Sequence, residues 1–421
     1  MSLQIFEEWE SEVRGYIRLF PTTFDTARGS LLTDEAGDEY IDFFAGAGTL
    51  NYGHNNPLLK QALVDYLERD SIVHGLDLAT RAKREFIETF RDLILHPRGL
   101  RYKMQFTGPT GANAVEAAIK AARQATGRTN VVAFTRGYHG LSLGALATTA
   151  ARQYRAAAGV SLKDVTFAAY DGYFGPDVDT IALLATQLDD PSGGIDPPAA
   201  IIVECVQGEG GINVASPEWL RRLAALAADR DIPLIVDDIQ AGCGRTGAFF
   251  SFEQAGIRPD IVVLSKSLSG YGLPMALVLL SPELDVWKPG GHTGTFRGNN
   301  LAFVGATAAL RTYWADDNFR AETVRKGDMV RRRLEDIAER HHGDLTCRGR
   351  GLFLGLSSLG DPDFGSRVSK EAFSRGVVIE TAGAYSEVVK FLPPLTTDDE
   401  TLLRGIDVVE EAIESQFVPA R

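Results

Sequence analysis

Short apolar runs that stop abruptly at polar or charged residues recur along the chain. They include Asn130-Val-Val-Ala-Phe134, Val165-Thr-Phe-Ala-Ala169 and Ala199-Ala-Ile-Ile-Val-Glu204, then Pro233-Leu-Ile-Val-Asp-Asp-Ile-Gln240 and Asp260-Ile-Val-Val-Leu-Ser-Lys266. Runs that are apolar throughout suit strands covered on both faces, the pattern of a central parallel sheet. Helical spacing appears between and around them: Leu58, Leu59, Leu63, Val64 and Leu67 within residues 57–71, an alanine-rich stretch after Gly111, residues 217–230 and residues 301–314. Repeated βα units of this kind predict an α/β sandwich. Further on, strands are predicted at 351–356, 377–380 and 388–392. Near the amino end, Asp34-Glu-Ala-Gly37 between alternating stretches predicts a hairpin. The expected organisation is an amino-terminal segment (1–55) that joins a small α+β domain (316–421), beside a large domain (56–315) with a mainly parallel sheet.

In open α/β sheets ligands gather at the carboxyl ends of the strands. Asp237 and Lys266 both stand at such ends, so a carboxylate and an amine are expected at one rim. An isolated Asp and Lys at strand ends commonly form a structural ion pair. They also suit a cofactor site: a lysine holds a carbonyl as a Schiff base, and a carboxylate keeps a pyridine nitrogen protonated. A second element points the same way. Met104-Gln-Phe-Thr-Gly-Pro-Thr-Gly-Ala112 leads into the alanine-rich helix, whose first turn would present the N–H groups of Gly111 and Ala112 beside the Thr110 hydroxyl. That is a place for a phosphate, although Thr-Gly before a helix is often only a cap. Within that helix Glu116 and Lys120 stand four residues apart and are expected to pair.

The block Leu234-Ile-Val-Asp-Asp-Ile-Gln-Ala-Gly-Cys-Gly-Arg-Thr-Gly247, followed by Ser265-Lys266, resembles the class III (ω) aminotransferases. The likeness runs along nearly the whole chain. It implies the aspartate-aminotransferase-like fold, fold type I of the pyridoxal 5′-phosphate (PLP) enzymes, with PLP as cofactor. A narrower likeness, to the branch of the family that handles L-2,4-diaminobutyrate, is carried by Phe43-Phe-Ala-Gly-Ala-Gly-Thr-Leu-Asn-Tyr-Gly-His-Asn-Asn56, Gln105-Phe-Thr-Gly-Pro-Thr-Gly111, Ser265-Lys-Ser-Leu-Ser-Gly-Tyr-Gly-Leu-Pro274 and Gly294-Thr-Phe-Arg-Gly-Asn-Asn300. The reaction so implied moves the amino group of L-glutamate to L-aspartate 4-semialdehyde, the step that opens ectoine synthesis. Its rivals are ω-aminotransferases of ornithine, acetylornithine or 4-aminobutyrate, a glutamate-1-semialdehyde mutase or racemase, and a PLP-fold binding module without catalysis.

The resemblance gives the residues roles. Lys266 is the Schiff-base lysine and Asp237 the partner of the ring nitrogen. Thr110, Gly111 and Ala112 hold the phosphate, Tyr138 of Gly137-Tyr-His-Gly140 stacks on the ring, and Gln240 sits near its 3′-oxygen. Glu204 and Glu209 match acidic positions near ring and substrate; the plainer reading of Glu204 is a buried carboxylate bonded to its loop. Thr295 matches a threonine that reaches the phosphate of a neighbouring subunit, so a homodimer or larger homo-oligomer with shared sites is expected. Three positions depart from the family pattern. Leu141 stands where many relatives have an arginine, Asn113 where many have an acid, and Lys390 where an arginine commonly grips a carboxylate. Lysine neutralises a carboxylate but lacks the rigid two-pronged fork. Lys390 and Arg297 are the candidates for contacting the carboxylates of amino-acid and oxo-acid substrates.

Bulk properties narrow the classes. A net charge of −13 argues against a nucleic-acid partner, which needs a basic surface. The apolar runs are too interrupted for a membrane span, and the first residues lack a basic-then-apolar leader. Cys205, Cys243 and Cys347 show no metal-ligand spacing, and the histidines, among them His341-His342 at an expected helix end, no ligand pattern. A cytoplasmic enzyme without a metal is the expectation.

Overall fold

The structure, a computed structural model, describes residues 3–341 and 343–417. Its central element is a seven-stranded sheet. Across it the strands run Lys103–Phe106, Leu277–Leu280, Ile261–Leu264, Leu234–Asp237, Ala200–Val203, Val131–Phe134 and Val165–Ala168. The last five are mutually parallel, and Leu277–Leu280 runs antiparallel to both of its neighbours. Ile201, Ile202, Ile235, Val236, Val262 and Val263 are buried completely. Each such side chain contributes about 1.5–3 kcal/mol on leaving water. Burial on both faces is why these strands read as uninterrupted apolar runs.

The helices match the predicted spacing with local differences. The first ends at Leu67, before Asp70 turns the chain at positive φ, and it buries Leu59, Leu63 and Tyr66 while Leu58, Val64 and Leu67 stay exposed. The strand expected over 351–356 is Phe353–Ser358. Gly351, at φ +60°, forms the turn that pairs it with Leu345–Arg350. The expected Glu116–Lys120 pair does not form. The Glu116 carboxylate turns away to accept from Ser142 Oγ (2.8 Å) and the Gly144 N–H (2.9 Å), while Lys120 Nζ donates to the Gly291 carbonyl. The Ser142 hydroxyl and the free N–H groups of Gly144 and Ala145 at a neighbouring helix start outcompete one exposed ion pair, which contributes only ~0.3–0.5 kcal/mol. His342, Met1 and Ser2 lie outside the described residues.

A second core gathers Ile41 and Phe43 with Val330, Leu334, Leu354 and Ile406. Its strands tie the two ends of the chain together: Val377–Val378 pairs parallel to Glu39–Asp42, beyond the hairpin at Asp34–Gly37. Arg245 joins this core to the large sheet. Its fully buried guanidinium donates to Asn51 Oδ1 (2.6 Å) and to the carbonyls of Leu352 (3.1 Å) and Pro393 (2.7 Å). Among the described residues no helix is long and apolar enough to cross a membrane.

Candidate active site

Asp237 closes the strand Leu234–Asp237, and Lys266 follows the adjacent parallel strand Ile261–Leu264. The parallel register brings both to the carboxyl edge. Lys266 sits at φ +49°, a left-handed conformation that costs a non-glycine residue about 1–3 kcal/mol. Its neighbours hold it there. Ser265 Oγ donates to the Met275 carbonyl (2.8 Å), and Ser267 Oγ donates to the Gly48 carbonyl (2.7 Å). The Lys266 amine donates to the Ala47 carbonyl at 2.9 Å. Burial, joined by the charge of Lys390, lowers its pKa against the pull of Glu209, Glu380 and Asp237.

Asp237 is buried and faces His139, whose Nδ1 donates to Asp237 Oδ2 at 2.7 Å; Oδ1 accepts the Ile239 N–H. Burial disfavours a charged imidazole, but the hydrogen bond and charge of Asp237, with the charge of Glu204, outweigh it and raise the His139 pKa. The loop carrying Tyr138 and His139 lies on the first turn of the Gly111–Thr126 helix. Gly140, at φ +118°, permits this, since a Cβ there would lie 2.7 Å from that of Ala112.

Glu204 is bonded to the loops around it, with Oε2 accepting the Tyr138 N–H (3.0 Å) and Oε1 that of Gly208 (3.4 Å). Burial raises its pKa well above the usual carboxylate range. Gln240 Nε2 donates to the Ala47 carbonyl (3.0 Å) and to Glu209 Oε1 (3.3 Å). It fits because residue 208 is glycine: a Cβ there would stand 1.8 Å from Gln240 Oε1. Glu209 Oε1 also lies 2.8 Å from Lys390 Nζ, and Glu380 Oε1 lies 2.9 Å from the same nitrogen. Tyr16 Oη donates to Glu380 Oε2 at 3.1 Å. Glu209 and Glu380 face a cavity of about 910 Å³, with Tyr16, Tyr138, Tyr154 and Arg136 on its walls.

Lys266, Asp237, Gln240, Glu209, Tyr138 and Lys390 therefore come together. Lys390 is fully buried between two acids. Arg297 stands apart: it pairs with Asp77 and donates to the His292 carbonyl. Thr295 is exposed, and its carbonyl accepts from His74 Nε2 (2.8 Å). Leu141, half exposed, lines the cavity where a family arginine is absent. Sequence reasoning gave no role to His139, Glu380, Tyr16 or the Ala47 carbonyl. The signal for Glu380 is a charge at the end of an apolar run, Val377-Val-Ile-Glu380. It is the cross-strand partner of Lys390, itself a charge inside Val388-Val-Lys-Phe391.

The residues present fit PLP. Thr110 Oγ1 caps the helix by accepting the Asn113 N–H (3.2 Å), while the N–H groups of Gly111 and Ala112 have no hydrogen-bond partner among the described residues and suit a phosphate. A buried amine of lowered pKa and a buried carboxylate held on one oxygen by a histidine complete the donor set.

The family model for aminotransferase class-III matches residues 15–413. A diaminobutyrate–2-oxoglutarate transaminase of Bordetella parapertussis is 61% identical over 98% of this chain and 95% of its own length. Its namesake in Halomonas elongata is 56% identical over 99% of this chain and 100% of its own. A solved ornithine aminotransferase from Toxoplasma gondii, with PLP at partial occupancy in its active site, superposes with a TM-score of 0.84 at 26% identity, covering 98% of this chain and 93% of that one.

Proposed function

The chain belongs to the class III aminotransferases, and on that premise we propose that it is a PLP-dependent diaminobutyrate–2-oxoglutarate transaminase. It moves the amino group of L-glutamate to the aldehyde carbon of L-aspartate 4-semialdehyde, giving L-2,4-diaminobutyrate and 2-oxoglutarate. The observation that carries this reading is the identity of 56–61%, over nearly whole chains, to relatives of that name. The reaction belongs to the cytoplasm and to the entry of ectoine synthesis.

PLP, when bound, supplies a carbonyl that takes up the amino group and a ring that absorbs the electron pair left on the substrate carbon. The chain's own residues do the rest. Lys266 would carry the cofactor and, once released from it, would serve as the base that moves the proton of the substrate carbon; burial lowers its pKa and so favours the neutral amine that this role needs. Asp237, steadied by His139, would keep a proton on the pyridine nitrogen. Thr110, Gly111 and Ala112 would hold the phosphate, Tyr138 would lie against the ring and Gln240 would serve its 3′-oxygen. Glu204 sets the Tyr138 loop by accepting its N–H. Thr295 would reach the phosphate of a second copy, so that two chains would complete each site. Exposed apolar side chains close by, Ile72, Leu78 and Phe296, support that assembly.

The test is a visible spectrum of the purified protein during titration with L-2,4-diaminobutyrate, ornithine and 4-aminobutyrate in turn. Loss of the yellow form with diaminobutyrate alone is expected. Loss with ornithine or 4-aminobutyrate instead keeps the aminotransferase and discards the substrate. In the Lys266→Ala protein amino transfer should vanish, and turnover at the wild-type rate would sink the mechanism.

A further inference from the structure

Two carboxylates on the cavity wall, those of Glu209 and Glu380, meet the buried ammonium of Lys390. Among the described residues, Lys390 Nζ is the only ammonium in contact with the carboxylates of Glu209 (2.8 Å) and Glu380 (2.9 Å). Lys390 is fully buried, the Glu380 side chain is 3% exposed, and that of Glu209 is 26% exposed. The next cation, Lys266, contacts a carbonyl rather than either acid. The remaining contacts are neutral donors: Tyr16 Oη to Glu380 and Gln240 Nε2 to Glu209. Two carboxylates thus share one ammonium in direct contact, with Lys266 acting on them only at longer range, in a place where poorly paired charge is costly.

The pairing of Glu380 is incomplete: its buried Oε1 lies 2.9 Å from Lys390 Nζ but, among the described residues, has no hydrogen-bond partner of good geometry. Glu380 borders the cavity. Lys390, the cross-strand partner of Glu380, is fixed by the sheet. It acts here as a permanent counter-ion that holds two acids together.

We propose that Glu380, with Glu209, receives the ammonium group of a diamino acid that is not transferred, and so makes the site prefer diamino acids to monoamines of the same length. This rests on the reading above, in which the 4-amino group reacts and the α-ammonium of diaminobutyrate is the spare cation. Tyr16, from the amino-terminal segment, is a positioning residue that orients Glu380 through its second oxygen.

L-2,4-Diaminobutyrate and 4-aminobutyrate differ only in that α-ammonium, so their ratio of kcat/KM isolates its recognition. Both would be measured on the same preparation of holoenzyme, so that cofactor loading and folded fraction cancel. Wild type should favour diaminobutyrate, and Glu380→Gln should cut the ratio about 10- to 100-fold, the scale of a lost charge-assisted contact. Calorimetry on the Lys266→Ala protein, with and without Glu380→Gln, should show the same loss in diaminobutyrate affinity and none for 4-aminobutyrate. Should Glu380→Gln fail to fold, Tyr16→Phe removes only the orienting hydroxyl and should lower the ratio about 3- to 10-fold. A wild-type preference that survives in a folded Glu380→Gln, or in Tyr16→Phe where that replaces it, overturns this inference and leaves the transaminase standing. A wild-type enzyme that favours 4-aminobutyrate overturns both.

Discussion

Replacing Lys390 with methionine keeps the length and most of the volume of the side chain and removes its charge. The cluster of Glu209, Glu380 and Lys390 would then hold two carboxylates and no ammonium. Taking one partner from a buried ion pair costs about 3–5 kcal/mol, because the remaining charge is left unpaired. Glu380, at 3% exposure, bears most of this, and Glu209, at 26%, keeps some contact with water. Set against a total stability of about 5–15 kcal/mol, the loss is large. At roughly 2 °C per kcal/mol for a chain of this size, it lowers the melting temperature by about 5–10 °C at pH 8. The pH dependence is more diagnostic than the size. Burial already raises the Glu380 pKa, aided by the charge of Glu209 and opposed by Lys390. Without Lys390 it rises further. A carboxyl with a raised folded pKa binds its proton more tightly in the folded state, so stability falls as pH rises from the unfolded value, about 4.3, through the folded one. The deficit of Lys390→Met should therefore shrink on going from pH 8 to pH 5. Adding Glu380→Gln should restore part of it at pH 8. Scanning calorimetry of wild type, Lys390→Met and the double variant at four pH values checks this. A deficit that is the same at every pH, or a double variant no more stable than the single, would refute the reasoning.

Asp237→Asn removes a buried carboxylate and should lower the rate of the half-reaction by about 10²–10³, the scale of a lost preorganised electrostatic contact, with the fold retained by circular dichroism. Arg245→Met leaves Asn51 Oδ1 and the Leu352 and Pro393 carbonyls without their donor, at about 1–3 kcal/mol each before relaxation. Its melting temperature should fall by several degrees, and limited proteolysis should find new sites where the two cores meet. Thr110→Ala loses a helix cap worth about 1 kcal/mol and a candidate phosphate contact, so cofactor affinity in equilibrium dialysis should drop more than thermal stability does.

Much of the fold could be read from local pattern. Apolar runs at 200–203, 234–237 and 261–264 are buried on both faces, so burial along a strand is written directly into residue type. Asp237 and Lys266 were legible for a related reason: each is the polar group that ends such a run, and parallel strands deliver their carboxyl ends to one edge. The capped helix start at Thr110–Ala112 was legible as well. What lay beyond reach were partners set by packing between distant segments. Asp237 meets His139 across 98 residues, Lys266 meets the Ala47 carbonyl across 219, and Glu209 meets Lys390 across 181. None of these pairs has a periodicity. Each depends on how two elements dock once their apolar faces are buried. Glu116 shows the same limit at short range: its partner four residues away was available, yet the neighbouring helix start offered three better donors. The chain alone determined that the central strands are buried and which rim carries the amine and the acid. Only the tertiary structure decided that Lys390 neutralises acids of its own chain, because a buried charge takes whatever counter-charge the packing brings within reach.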